Sequence, residues 1–179
     1  METVSIKDKN FRLSITAEEI EKAVSEVAQH INNDLKDTNP LFICVLNGAF
    51  MFAADLMKHI DLPCEISFVK LASYEGTSST GKIKEMIGLK EDIKGRTVVV
   101  VEDIVDTGFT MQNILDSLQK QGAKEIHVCT FLQKPEALQC DICVDYVAMK
   151  IPNEFIVGYG LDYDGYGRNL KAIYTLVKD

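Results

Sequence analysis

Tryptophan is absent from the 179 residues, proline is held to 4, and basic side chains are in the minority, 19 Lys and Arg against 27 Asp and Glu. No stretch approaches the 18 or more consecutive apolar residues of a membrane span, and the opening METVSIKDKNFR has no signal-peptide core, so the cytoplasm is the expected home. The low proline and a glycine count of 11 exclude collagen-like and Pro/Gly-rich low-complexity chains. A formal charge of −8 repels a nucleic-acid backbone, which makes nucleic acid a poor candidate partner. A small phosphorylated ligand is still compatible with that charge if backbone dipoles or a metal ion reverse the local field.

Cysteine is also sparse and odd in number: Cys44, Cys64, Cys129, Cys140 and Cys143. Most sit in apolar runs and read as reduced core residues. Cys140 and Cys143 form a C-x-x-C, but His30, His59 and His127 show no zinc-ligand spacing. A thioredoxin-like motif opens a helix after a strand, whereas QCDICVDYVAM reads as a continuing strand.

What is present is a globular composition, 46% hydrophobic and 26% charged, in a chain long enough for one domain. Folding at this size removes roughly 70% of the surface the unfolded chain exposes, enough for a core without disulfides. Thr16-Ala17-Glu18-Glu19 is a capping box, followed by Ile20, Ala23, Val24, Val27, Ala28 and Ile31 at helical spacing. Leu41 to Leu46 is a short, wholly apolar run, as expected of a strand covered on both faces. Asn47-Gly48 turns the chain into a helix over Phe50 to Ile60. Strands are predicted over Glu65 to Ser73 and Lys82 to Leu89, with the small, polar Tyr74 to Gly81 between them. The β-branched run ending at Val101 predicts a buried strand over Thr97 to Val101, and Met111 to Gln121 a helix stopped by Gly122. Further strands are predicted over Glu125 to Leu132 and Ile142 to Ala148. This β-α-β alternation implies an α/β fold with a central, mainly parallel, twisted sheet flanked by helices, whose ligands bind beyond the carboxyl ends of the strands.

Directly after Val101 come Glu102, Asp103 and Asp106, three acids within five residues, then Thr107-Gly108-Phe109-Thr110. Clustered carboxylates are costly unless a cation or hydroxyl donors sit among them. The turn Asp106 to Thr110 gathers backbone N–H groups, threonine hydroxyls and a helix N-terminus on one point, which suits a phosphate monoester. It lacks the glycine spacing and the Gly-Lys-Ser/Thr end of a Walker A loop.

VVVVEDIVDTGFTM resembles the phosphoribosyl-pyrophosphate (PRPP) binding motif of the type I phosphoribosyltransferases, an apolar strand, two acids and D-T-G-x-T. Leu46-Asn47-Gly48-Ala49 resembles the family's first pyrophosphate loop, and Ser73-Tyr74 with the polar stretch its mobile lid. Phe131-Leu132-Gln133-Lys134-Pro135 resembles the segment presenting a purine-reading lysine. IPNEFIVGYGLDY followed by Arg168 is similar to the base-binding segment of the hypoxanthine(-guanine) branch. The resemblance implies a single domain, with a small hood for the base formed by the N- and C-terminal segments.

It further implies displacement of pyrophosphate from C1 of PRPP by a purine ring nitrogen. Glu102 and Asp103 would hold the ribose hydroxyls and face an oxocarbenium-like centre. Asp106 would accept a proton at purine N7, and Asp106, Thr107, Gly108, Phe109 and Thr110 would bind the 5′-phosphate. Asn47, Gly48 and Arg168 would meet pyrophosphate. Lys134, Phe155, Ile156 and Asp162 would meet the purine, and Ser73 and Tyr74 would cover the site. Mg²⁺ is implied, held by PRPP oxygens, waters and Asp162, with Glu102 and Asp103 also in the metal set. Asn47 stands where some members carry lysine, and Phe109 where the motif is often basic. A homodimer or homotetramer is the expected assembly. A xanthine-preferring relative and a PRPP-fold RNA-binding regulator are the alternatives. The second needs a basic face, which the net charge disfavours.

Overall fold

The computed structural model describes residues 2–74 and 83–178. Its centre is a six-stranded sheet ordered β5-β4-β3-β6-β7-β8, from Ile83–Ile87 (β5), Glu65–Tyr74 (β4), Leu41–Leu46 (β3), Thr97–Val105 (β6), Glu125–Gln133 (β7) and Tyr146–Lys150 (β8). Only β5 runs antiparallel to its neighbour. The helices Ala17–Asp34 (α1) and Phe50–Lys58 (α2) pack on one face, and Phe109–Lys120 (α3) on the other.

The apolar runs are buried on both sides for this reason. In β3, Phe42 and Cys44 face α1 and α2, while Leu41, Ile43 and Val45 face the layer of α3. Val99 and Val101 of β6 divide from Val98 and Val100 in the same way. The capping box forms as expected: the Glu19 amide donates to Thr16 Oγ1 at 3.2 Å, and the Thr16 amide to Glu19 Oε2 at 2.8 Å. Such a cap stabilises a helix by about 1 kcal/mol. All five cysteines are free.

A second, antiparallel sheet ordered β1-β2-β10-β9 joins the two ends of the chain: Thr3–Ile6 (β1), Lys9–Ile15 (β2), Ile156–Val157 (β9) and Ile173–Leu176 (β10). Its own small core holds Ile6, Phe11, Val157, Ala172 and Tyr174. The N-terminal hairpin is not among the elements read from the sequence. Phe11, Leu13 and Ile15 alternate with polar residues, and that period of two is the signal for it.

Two sequence expectations are corrected. The strand expected over Ile142 to Ala148 starts only at Tyr146; residues 138–145 form irregular chain packed beneath the start of α3. Asp145 anchors that chain, its carboxylate accepting from the Val128 amide at 2.7 Å and its own amide donating to the Val128 carbonyl at 3.0 Å. Strand β6 also continues to Val105, because Glu102, Ile104 and Val105 keep pairing with β7. Glu102 and Asp103 therefore lie within the strand and not after it. Of the lid expectation, Ser73 and Tyr74 end β4, and residues 75–82 lie outside the described residues.

Candidate active site

Three chain segments meet at the carboxyl end of β3 and β6 with no space for a side chain between them. A Cβ on Gly48 would lie 1.6 Å from Asp103 Oδ2, and one on Gly160 would lie 2.0 Å from the Gly48 carbonyl oxygen. Glycine at 48 is thus required by close approach, and Gly160 (φ 100°) by approach and backbone conformation together. The peptide between Leu46 and Asn47 is cis.

Glu102 is buried, and its Oε1 accepts from the Asp103 amide at 3.1 Å; Asp103 Oδ1 accepts from the Ile104 amide at 2.7 Å. Burial pushes the Asp103 carboxyl above the ordinary carboxylate range, against its hydrogen bond with Glu102 and the Arg168 guanidinium, which pull it down. The chain then turns through Asp106, Thr107 and Gly108 into α3. A cavity of about 270 Å³ opens over this turn, lined by residues 102–108 with Thr110 and Met111. Gly108 caps α3 at φ 91°, and a Cβ there would stand 3.0 to 3.2 Å from Leu138, Cys140 and Ile142. The Gln139 amide donates to the Thr107 carbonyl at 2.9 Å, so the 138–142 segment supports the turn from below. Phe109 begins α3 and is 54% exposed, outside the cavity lining.

Lys134 follows β7, its amide donating to the Val105 carbonyl at 3.0 Å. Although a lysine, it is buried, and its Nζ stands 3.6 Å from Asp106 Oδ2. Asp162 and Arg168 meet on the loop between β9 and β10: Arg168 Nη2 lies 2.8 Å from Asp162 Oδ1, and Nη1 donates to the Gly160 carbonyl at 2.7 Å. The second Asp162 oxygen accepts from the Gly165 amide at 2.8 Å. Ile156 opens β9 of the antiparallel sheet, and Phe155 directly precedes it. Ile156 is buried, while Phe155 is 47% exposed, its ring 6.2 Å from Phe11 and edge-on to Tyr163 at 5.9 Å.

The loop carries a run of left-handed backbone, Gly158 (φ 104°), Tyr159 (φ 46°) and Gly160 (φ 100°). For a non-glycine residue that conformation costs about 1 to 2 kcal/mol, and the fixings of Tyr159 offset it. Its ring is buried 4.8 Å from that of Phe131, and its hydroxyl donates to Asp55 Oδ2 on α2 at 2.6 Å.

The site therefore joins a strand-borne acid pair, a glycine- and threonine-bearing turn at a helix N-terminus, and an Arg–Asp pair whose loop presses on the Gly48 backbone. The phosphoribosyl transferase domain model matches residues 13–164. The chain belongs to the phosphoribosyltransferase family. Hypoxanthine-guanine phosphoribosyltransferases of Streptococcus thermophilus and Bacillus subtilis are each 40% identical to it, over 94% of both chains for the first and 92% of both for the second. The crystal structure of a hypoxanthine-guanine phosphoribosyltransferase from Bacillus anthracis superposes with a TM-score of 0.82 at 37% identity, covering 93% of this chain and 97% of that one. The protein is accordingly an enzyme of the glycosyltransferase type, with the mixed α/β architecture of type I phosphoribosyltransferases.

Several residues that shape the site are not among those read from sequence. Phe11 and Tyr163 brace Phe155, and Lys7 and Asp8 at the hairpin tip reach Asp164 and Tyr163. The contacts made by Lys7, Asp8 and Phe11 each span more than 140 residues of sequence, beyond any local pattern.

Proposed function

We propose that the enzyme salvages oxopurines, transferring the phosphoribosyl group of PRPP to hypoxanthine, and to guanine, to give IMP or GMP and pyrophosphate. One observation carries the choice of base: the buried Lys134 ammonium stands beside the Asp106 carboxylate, a donor next to an acceptor. A 6-oxopurine presents O6 and N7 side by side on one edge. With its proton on N7, that edge offers an acceptor to Lys134 and a donor to Asp106. Adenine would set its amino group against the ammonium, donor facing donor with no acceptor for Lys134 on that edge, so it is rejected.

In the reaction the C1–oxygen bond to pyrophosphate breaks as the bond from C1 to the purine nitrogen forms. The purine proton passes to Asp106, which raises the nucleophilicity of the ring. Glu102 and Asp103 hold the ribose hydroxyls and set carboxylate near the positive charge developing on the sugar. The amides and threonines of residues 106–110 hold the 5′-phosphate at the α3 N-terminus. Backbone at Asn47 and Gly48, with the Arg168 guanidinium, orients the pyrophosphate. Phe155 lies against the base, and the Ile156 backbone meets its edge. The antiparallel sheet serves as the hood of a single domain.

The carboxylates fit Mg²⁺, a hard cation that prefers oxygen donors. Burial disfavours the charged form of the Asp103 carboxyl, and a cation beside it would favour that form. Among the described residues no group of three or more His, Cys, Asp or Glu is arranged to hold a metal alone, so substrate oxygens would complete the shell around Asp162, Glu102 and Asp103. When bound, the ion neutralises charge on the departing pyrophosphate.

No helix among the described residues is long and apolar enough to cross a membrane, in keeping with a cytoplasmic enzyme. An oligomer is supported by Phe68 and Ile87, each 48% exposed, on the neighbouring strands β4 and β5 at one end of the sheet and on the same face by register. The decisive experiment supplies PRPP, Mg²⁺ and each purine in turn. Nucleotide from hypoxanthine and guanine but not adenine supports the reading, and nucleotide from adenine or xanthine alone refutes it.

A further inference from the structure

Asp55 lies on α2, outside every segment that resembles a ligand-binding motif, yet it is tied to the loop that carries Asp162 and Arg168. Its Oδ2 accepts the Tyr159 hydroxyl at 2.6 Å, and its Oδ1 stands 2.6 Å from Lys58 Nζ one helical turn on. Lys58 is mostly exposed, whereas Tyr159 is buried. The residue after Tyr159 is Gly160, whose backbone presses on the Gly48 carbonyl so closely that no Cβ fits. The Gly160 carbonyl accepts from Arg168, and its amide donates to the Arg168 carbonyl at 2.9 Å. One side-chain bond from α2 thus reaches a turn that touches both the Gly48 loop and the Arg168–Asp162 pair.

We propose that Asp55 is a positioning residue for the pyrophosphate half of the site: through the Tyr159 hydroxyl it fixes Gly160 against Gly48, and so sets Arg168 and Asp162. It touches no substrate. The base half is held separately, Phe155 by Phe11 and Tyr163, and Ile156 by pairing with Thr175. This inference rests on the function proposed above, and its consequence is an asymmetry between the two substrates.

The test compares Asp55→Ala, Tyr159→Phe, Asp55→Asn and Lys58→Ala with the wild type. Steady-state KM values for PRPP and hypoxanthine are read together with amide hydrogen exchange at residues 158–162 in the ligand-free proteins. Asp55→Ala and Tyr159→Phe are each expected to raise the KM for PRPP about tenfold, the usual effect of losing one hydrogen bond to a charged group, with the hypoxanthine KM within about twofold. Both should speed exchange at Gly160, and the double variant should be no worse than either single one. Asp55→Asn keeps an acceptor for the hydroxyl and should restore the PRPP KM, and Lys58→Ala should leave it unchanged. Equal shifts in both KM values, or a lower melting temperature with unaltered exchange at 158–162, would overturn the proposal. A wild type that makes no nucleotide would refute the function instead, and the exchange measurements would still decide whether Asp55 holds the loop.

Discussion

The two halves of the site are built differently. The half proposed to hold the phosphoribosyl group, Glu102 to Thr110, is one unbroken stretch running from a strand buried on both faces into a helix. The half proposed to hold base and pyrophosphate is assembled from Asn47, Gly48, Lys134, Phe155, Ile156, Asp162 and Arg168, taken from the loops and strands of two sheets and joined by long-range contacts. In the first half, neighbours in sequence are neighbours in space, so the chemistry follows from local order. In the second, the positions depend on packing at a distance, and small losses there should change substrate handling more readily than stability.

Substitutions can break or sharpen that contrast. The largest effect should come from Asp106→Asn, which keeps the shape of the turn but removes the proton acceptor. A fall of about 10²-fold or more in single-turnover rate is expected, and near-normal chemistry would remove Asp106 from that role. Next, Lys134→Ala should raise the hypoxanthine KM by tenfold or more, on the order of the 1.5 to 3 kcal/mol of a charged hydrogen bond. The PRPP KM should stay within about twofold, measured in the same assays. Gly48→Ala places a methyl group on the Asp103 carboxylate. Overpacking of this kind costs about 1 to 3 kcal/mol, which denaturant titration would show, and pyrophosphate affinity should fall with it. Phe155→Ala should weaken purine binding only a few-fold, since an aromatic pair contributes about 0.5 to 1.5 kcal/mol beyond area.

The same contrast explains what could be read from the chain alone. The apolar runs of β3 and β6 exposed the central sheet, because strands buried on both faces need no partner to be recognised. The D-T-G-x-T turn was legible for the same reason. The N-terminal hairpin was harder: its alternation is short, and only Ile6, Phe11 and Ile15, at 9% exposure or less, show that one face is buried. The misplaced start of β8 has a physical cause as well. Residues 142–145 alternate like a strand, but Ile142 packs against the Gly108 turn and Asp145 holds the Val128 backbone, so they support the turn before α3 ahead of any pairing. Nothing local marks Asp55, whose partner lies 104 residues away.

The smallest expected effect is one of pH. Burial pushes the Asp55 carboxyl up, but its bonds from Lys58 and Tyr159 outweigh that and hold it below the ordinary carboxylate value. A group depressed on folding adds stability that is fully present above about pH 4 and lost as the pH falls through its folded value. Asp55→Asn should therefore flatten the acid limb of the stability profile, followed by thermal melting between about pH 2 and pH 5. A parallel profile in the variant would show that the carboxylate has no such role.

The central claim is that one buried lysine and one carboxylate read a single purine edge above a phosphate turn. A crystal structure with bound IMP tests it most directly. The account predicts the phosphoryl group within residues 106–110, O6 at Lys134 and N7 at Asp106. A phosphoryl group lodged elsewhere, or a base turned with that edge away from Lys134, would contradict it.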